Sequence, residues 1–146
     1  MTLCPATDLS ALSTPKQRVR AIWINAALWT SQGLLAMFYV AAGYAKLSEP
    51  MRNLVFLMGW PEQVTETFVR SFGAAELALG LMMLAPVFGW KFGRPFVVIS
   101  AAVLAVMQIA FLGLHLARFE FGFSVLNLLL LGITVPVLLG RRCRSS

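Results

Sequence analysis

Four stretches of this 146-residue chain run long without a charged side chain. Residues 21–45 form an uncharged run of 25, residues 71–90 a run of 20 broken only by Glu76, residues 95–117 a run of 23, and residues 121–140 a run of 20. About 20 helical residues cross a hydrocarbon core of about 30 Å, so each run can span a bilayer. The apolar residues follow one another without the period-two alternation of a transmembrane barrel strand. The pattern predicts an all-α integral membrane protein, an antiparallel four-helix bundle with helices at about 21–46, 62–88, 95–117 and 121–140 and tails over 1–20 and 141–146. The one long connection, 46–70, has an apolar side in Leu54, Val55, Leu57 and Met58 and a break at Gly59-Trp60-Pro61. It predicts a short interfacial helix, with Trp60 at headgroup level and Pro61 opening the second long helix, Glu62 in its first turn.

Without water between them, membrane helices associate through close packing and interhelical hydrogen bonds, so small and polar residues mark the inward faces. At about 100° per residue, Asn25, Gln32, Tyr39 and Lys46 share one stripe of the first helix with Ala36 and Gly43. Gly73, Glu76, Gly80 and Met83 share a face of the second, Gln108, Phe111, His115 and Arg118 of the third, and Ser124, Asn127, Leu131 and Thr134 of the fourth. Each helix is thus a greasy cylinder with one polar or small stripe, and the stripes predict a polar interior seam.

Charge sets the orientation. Lys16, Arg18, Arg20, Lys91, Arg94, Arg141, Arg142 and Arg144 fall on one side of the four spans; Lys46, Arg52, Arg70 and Arg118 fall on the other, with Glu49, Glu62, Glu66 and Glu120. The positive-inside rule places both termini in the cytoplasm, and an even number of spans agrees. The expected location is the inner, cytoplasmic membrane. Lys46, Arg70, His115, Arg118 and Glu120 then lie near the outer surface, with Glu76 six residues, about 9 Å of rise, inward from Arg70. An ionisable cluster in the outer half, an apolar cytoplasmic half and a cavity open outward or sideways are expected.

Composition narrows the chemistry. Hydrophobic residues make up 59% and charged residues 12%, about half the charge of a soluble domain, which excludes a water-soluble fold and a disordered chain alike. The net charge of +6 sits in clusters at span ends, which reads as topology signal and not as a nucleic-acid surface. Cys4 and Cys143 lie in opposite tails, where the expected orientation keeps them reduced, and with His115 as the single histidine no closed zinc site can be built from Cys and His. The first apolar run is too long for a signal peptide and should persist in the mature protein. No nucleophile elbow, phosphate loop, zincin helix or dinucleotide fingerprint occurs.

Glu76 is the principal candidate. A charge deep in hydrocarbon costs about 2.5–3.5 kcal/mol on insertion scales, so intramembrane acids pair or do chemistry. One reading is a packing lock, held by Lys46 or Arg118 or kept protonated; the other is a proton carrier or ligand partner. The first ranks ahead, because pairing alone accounts for the residue. Arg70, six residues away in the same helix, lies on the wrong face to be its partner. Gln32, Gln108 and Asn127 are expected to make interhelical bonds, and His115 to be hydrogen-bonded near the interface. Tyr39, Lys46, Glu76, Gln108, His115, Arg118 and Asn127 form the candidate ligand-binding set.

The Gly43-Tyr44-Ala45-Lys46 ending of the first helix resembles the Gly-x-x-Lys of DoxX-like membrane proteins, and Gly73-Ala74-Ala75-Glu76-Leu77-Ala78-Leu79-Gly80 resembles their second-helix Gly-x-x-Glu-x-x-x-Gly. Asn127 and the four-span layout with tails inside also fit, over about residues 20–140. Most of that family has no assigned activity. Some members are similar to small subunits of a thiosulfate:quinone oxidoreductase, others accompany redox enzymes, and distant four-helix relatives include sterol isomerases and assembly chaperones. A self-contained thiosulfate oxidase would be expected to need an extra soluble domain and cysteine chemistry, so independent thiosulfate oxidation is not expected of these residues.

Three functions follow in order. The first is an accessory subunit of a larger redox or photosynthetic membrane complex, with membrane lipids around it and no nucleic acid. The second is a module holding a quinone or isoprenoid lipid in the outer-half cavity. The third is a lone isomerase with Glu76 as acid–base.

Overall fold

The computed structural model describes residues 14–142, and its elements are helical throughout. The long helices are α1 (Pro15–Ser48), α3 (Glu66–Met83), α4 (Trp90–Ala117) and α5 (Phe121–Arg142), with the short α2 (Met51–Met58) between the first two. Among the described residues, four segments are long and apolar enough to cross a membrane, the second reaching from Glu66 through the 3₁₀ turn Ala85–Phe88. The protein is a multi-pass membrane protein by this measure. Cys4 and Cys143, and with them the expectation of reduced thiols, lie outside the described residues.

Helix α1 begins well ahead of residue 21. Thr14 is its N-cap: the Thr14 hydroxyl accepts from Gln17 N–H, the Gln17 side chain accepts from Thr14 N–H, and Pro15 occupies the first turn. This reciprocal cap outweighs Lys16, Arg18 and Arg20, whose charges end an apolar run without ending a helix. At 34 residues α1 is about 51 Å long, more than a hydrocarbon core requires. It stops before Pro50, with Glu49 N–H bonded to Ala45 O.

The expected start of the second span at Pro61 is corrected. Trp60–Gln63 is a 3₁₀ turn, and α3 starts at Glu66 behind Thr65, whose hydroxyl accepts from Phe68 N–H. Thr65 supplies the side-chain cap that Trp60 cannot. Helix α4 starts at Trp90, with Pro95 inside it, so Lys91 and Arg94 lie on the helix and not in a link. Arg94 reaches across to donate to the carbonyls of Arg141 and Arg142, neutralising the carbonyl end of α5.

Helix α1 packs directly on α3. A Cβ on Gly43 would lie 2.6 Å from Gly73 O and Leu77 N, and one on Gly80 would lie 3.2 Å from Ala36 O. The two backbones therefore run in opposite directions and touch, as small residues permit in lipid. Helices α4 and α5 form a second antiparallel pair through the tight turn at Arg118–Phe119–Glu120, where Phe119 takes a positive φ of 58° and Glu120 N–H bonds His115 O.

Two apolar cores result. One joins Leu35, Ala36 and Tyr39 of α1 to Met83, Val97, Ala101, Leu104 and Val137. The other, at one end, gathers Leu54, Trp60 and Val69 with Phe72 and Phe111. Outward faces remain greasy: Trp23, Phe56, Ile99, Val106, Leu128 and Leu129 are all exposed, as lipid-facing positions should be.

Candidate functional site

The buried stripe of α1 consists of Gln32, Leu35, Ala36, Tyr39, Gly43 and Lys46, and that of α3 of Val69, Gly73, Glu76, Gly80 and Met83. Where these stripes meet, Lys46 Nζ lies 2.6 Å from Glu76 Oε2, with both side chains less than a tenth exposed. Lys46 takes the partnership that could have gone to Arg118. Arg70 turns away from Glu76, as its face requires, and donates to Lys46 O and Glu66. It thereby satisfies a carbonyl in the last turn of α1.

Beside this ion pair is a half-enclosed cavity of about 140 Å³. Tyr39, Lys46, Glu76, Gln108, His115 and Asn127 line it, so four helices bring six of the seven candidate residues to one space. Arg118 is the exception: it pairs with Glu120 at 2.8 Å and donates to Gln63 Oε1, tying the 3₁₀ turn to the end of α4. Asn127 faces the cavity but donates to Phe123 O of its own helix, in place of the expected interhelical bond.

Gln108 does bond across helices. Its Nε2 donates to Tyr39 Oη and to Thr134 Oγ1, joining α4 to α1 and α5. His115 Nδ1 stands 2.6 Å from Glu120 Oε2; a carboxylate can only accept, so Nδ1 carries the proton. The imidazole is stacked between Phe111 and Phe123, at 6.1 and 5.2 Å between centroids. Among the described residues no three His, Cys, Asp or Glu side chains gather to hold a metal.

The aromatic walls, Phe111 apart, are the part that the helical stripes did not point to. Trp60 is not at a surface: it is 7% exposed and its ring meets Phe68, Phe72 and Phe111 at centroid distances of 5.6–6.5 Å. Gly59, at φ 71°, turns the chain so that Trp60 folds back over the cavity with Met58. The sequence signal was the Gly59-Trp60-Pro61 break itself, which marks a reversal as readily as a headgroup anchor.

The end opposite the cavity is not apolar, which corrects the expectation of an apolar half. Arg141 is fully buried, with its guanidinium carbon 4.7 Å from the Trp29 ring centroid and 5.0 Å from that of Trp90. It donates to Gln32 Oε1 and Asn25 Oδ1, and Gln32 Nε2 in turn donates to Met83 O. Aromatic faces and amide oxygens hold this cation.

A model of the DoxX-like family matches residues 30–137, a stretch that contains every residue of the cavity. No curated protein and no solved structure matches the chain.

Proposed function

The chain belongs to the DoxX-like family, and on that premise we propose that it is an accessory subunit of a larger redox or photosynthetic membrane complex, holding the headgroup of a quinone or isoprenoid lipid in its cavity. In this reading the helices form an antiparallel four-helix bundle in the cytoplasmic membrane, with both termini on the cytoplasmic side. One observation carries the proposal: polar groups from all four long helices converge on a space whose remaining walls are apolar, Phe and Trp together with Met, Leu and Ala. A concave, mostly apolar site with a few placed polar groups suits a small amphipathic ligand, and the greasy outer faces suit its tail and neighbouring subunits.

Acid–base catalysis by Glu76 draws less support. Its carboxylate is already engaged with Lys46 at 2.6 Å, which favours the packing lock. Gentle solubilisation of native membranes, purification of the chain and mass spectrometry of what accompanies it test the proposal. A partner protein in fixed stoichiometry and a bound quinone or isoprenoid are expected. A chain that emerges alone and lipid-free, yet folded, would overturn it.

A further inference from the structure

Gln108 is 2% exposed, lines the cavity, and makes only half of its available bonds. Both donations come from Nε2, to Tyr39 Oη and Thr134 Oγ1, whereas Oε1 is buried and finds no donor among the described residues. Turning the amide over would cost it the bond to Thr134. Thr134 spends its own hydroxyl proton on Leu130 O at 2.8 Å, so Thr134 Oγ1 offers Gln108 only lone pairs and requires the NH₂ group opposite it. Thr134 therefore fixes the carbonyl oxygen on the other side. A buried acceptor without a donor calls for an explanation, and here it belongs to a residue of the cavity wall.

The size of the space restricts the occupant. A cavity of about 150 Å³ lined by apolar side chains accepts benzene, and this one measures about 140 Å³. Phe38, Trp60, Phe72, Phe111 and Phe123 supply its aromatic wall, against which a ring packs edge-to-face or offset. We propose that the cavity selects a single ring bearing a hydroxyl, a phenol or hydroquinone headgroup, whose O–H donates to Gln108 Oε1. A ring with only acceptor oxygens would set lone pair against lone pair at that atom. This selectivity rests on the reading of the cavity as a ligand site and narrows the quinone of that reading to its reduced, hydroxyl-bearing form.

The test uses the purified full chain in detergent micelles, titrated with 4-propylphenol and with 1-fluoro-4-propylbenzene, of nearly the same shape but without the donor. Native mass spectrometry gives each Kd at free concentrations corrected for micelle partitioning. The phenol is expected to bind about tenfold more tightly, equivalent to about 1.4 kcal/mol. Gln108→Met should abolish that preference. Thr134→Val should erode it too, because the released amide can turn Oε1 toward the Tyr39 hydroxyl; Thr134 does not line the cavity, so this variant decides the matter if Gln108→Met does not fold. Equal Kd values for the two probes would leave a ring-binding site but overturn its selectivity, as would a preference that survives in the variants. Binding of neither probe would overturn the ligand-site reading itself.

Discussion

Removing one member of the Lys46–Glu76 pair should harm the protein more than removing both. The two side chains are 5% and 9% exposed and meet at 2.6 Å. Each charge has given up most of its hydration and has mainly the other in return. In such pairs, deleting one partner costs about 3–5 kcal/mol, while replacing both by well-packed apolar residues is often neutral or better. Lys46→Met leaves the Glu76 carboxylate to protonate or stay unpaired; Glu76→Met leaves a buried ammonium over the Phe72 ring, 5.8 Å from its centroid. Each single variant should lose about 3 kcal/mol or more, and the double variant should return to within about 1 kcal/mol of the parent. Folding free energies from SDS titration in mixed micelles would measure the cycle. Single losses under about 1 kcal/mol, or a double loss equal to their sum, would refute the packing lock. Glu76→Gln supplies a second readout: stability should fall with bound-lipid content unchanged, and lost lipid at unchanged stability would reverse the two roles.

Further outcomes follow from other contacts. Gly43→Ala should cost about 2–3 kcal/mol, because its new Cβ meets the α3 backbone at 2.6 Å, whereas Gly33→Ala, with nothing within 4 Å, should shift stability by less than about 1 kcal/mol; thermal unfolding of the two variants compares them. Arg141→Lys should lower thermal stability despite keeping the charge, by about 1–3 kcal/mol, since an ammonium cannot reproduce the planar fork that stacks on Trp29 and Trp90 while bonding Gln32 and Asn25. In intact cells, Cys4 and Cys143 should resist an impermeant maleimide and react after lysis; labelling of either from outside would invert the proposed orientation.

The inward faces of α1 and α3 were legible because a polar or small residue on an otherwise apolar helix has few other reasons to be there. Gln32, Ala36, Tyr39, Gly43 and Lys46 are all buried, as are Gly73, Glu76, Gly80 and Met83. Helix ends were less legible, since charge was used as the boundary. Thr14-Pro15-Lys16-Gln17 contains the capping signal in plain form, but a charge count passes over it. Trp60 and Arg141 fall beyond any local pattern. A tryptophan beside a break, or an arginine in a basic cluster, is buried only when partners distant in sequence close over it: Phe111 for one, Trp29 and Trp90 for the other. The aromatic wall shares that difficulty, because phenylalanines abound on lipid-facing surfaces as well.

Two buried glutamines separate what holds the fold from what the site leaves open. Gln32 uses both ends of its amide, donating to Met83 O and accepting from Arg141. It lies in the core between helices, away from the cavity lining. Gln108 is equally buried and has the same side chain, yet its oxygen faces no donor among the described residues. Packing alone does not distinguish them, since both bridge helices. If the fold needed only a bridge at position 108, a residue with one donating end would serve. An amide held by Thr134 so that its oxygen is left without a donor is what a site requires when a donor arrives with the ligand. Glu76 and Gln108 thus divide the work, the carboxylate closing α1 on α3 through Lys46 and the amide oxygen awaiting a partner from outside the chain.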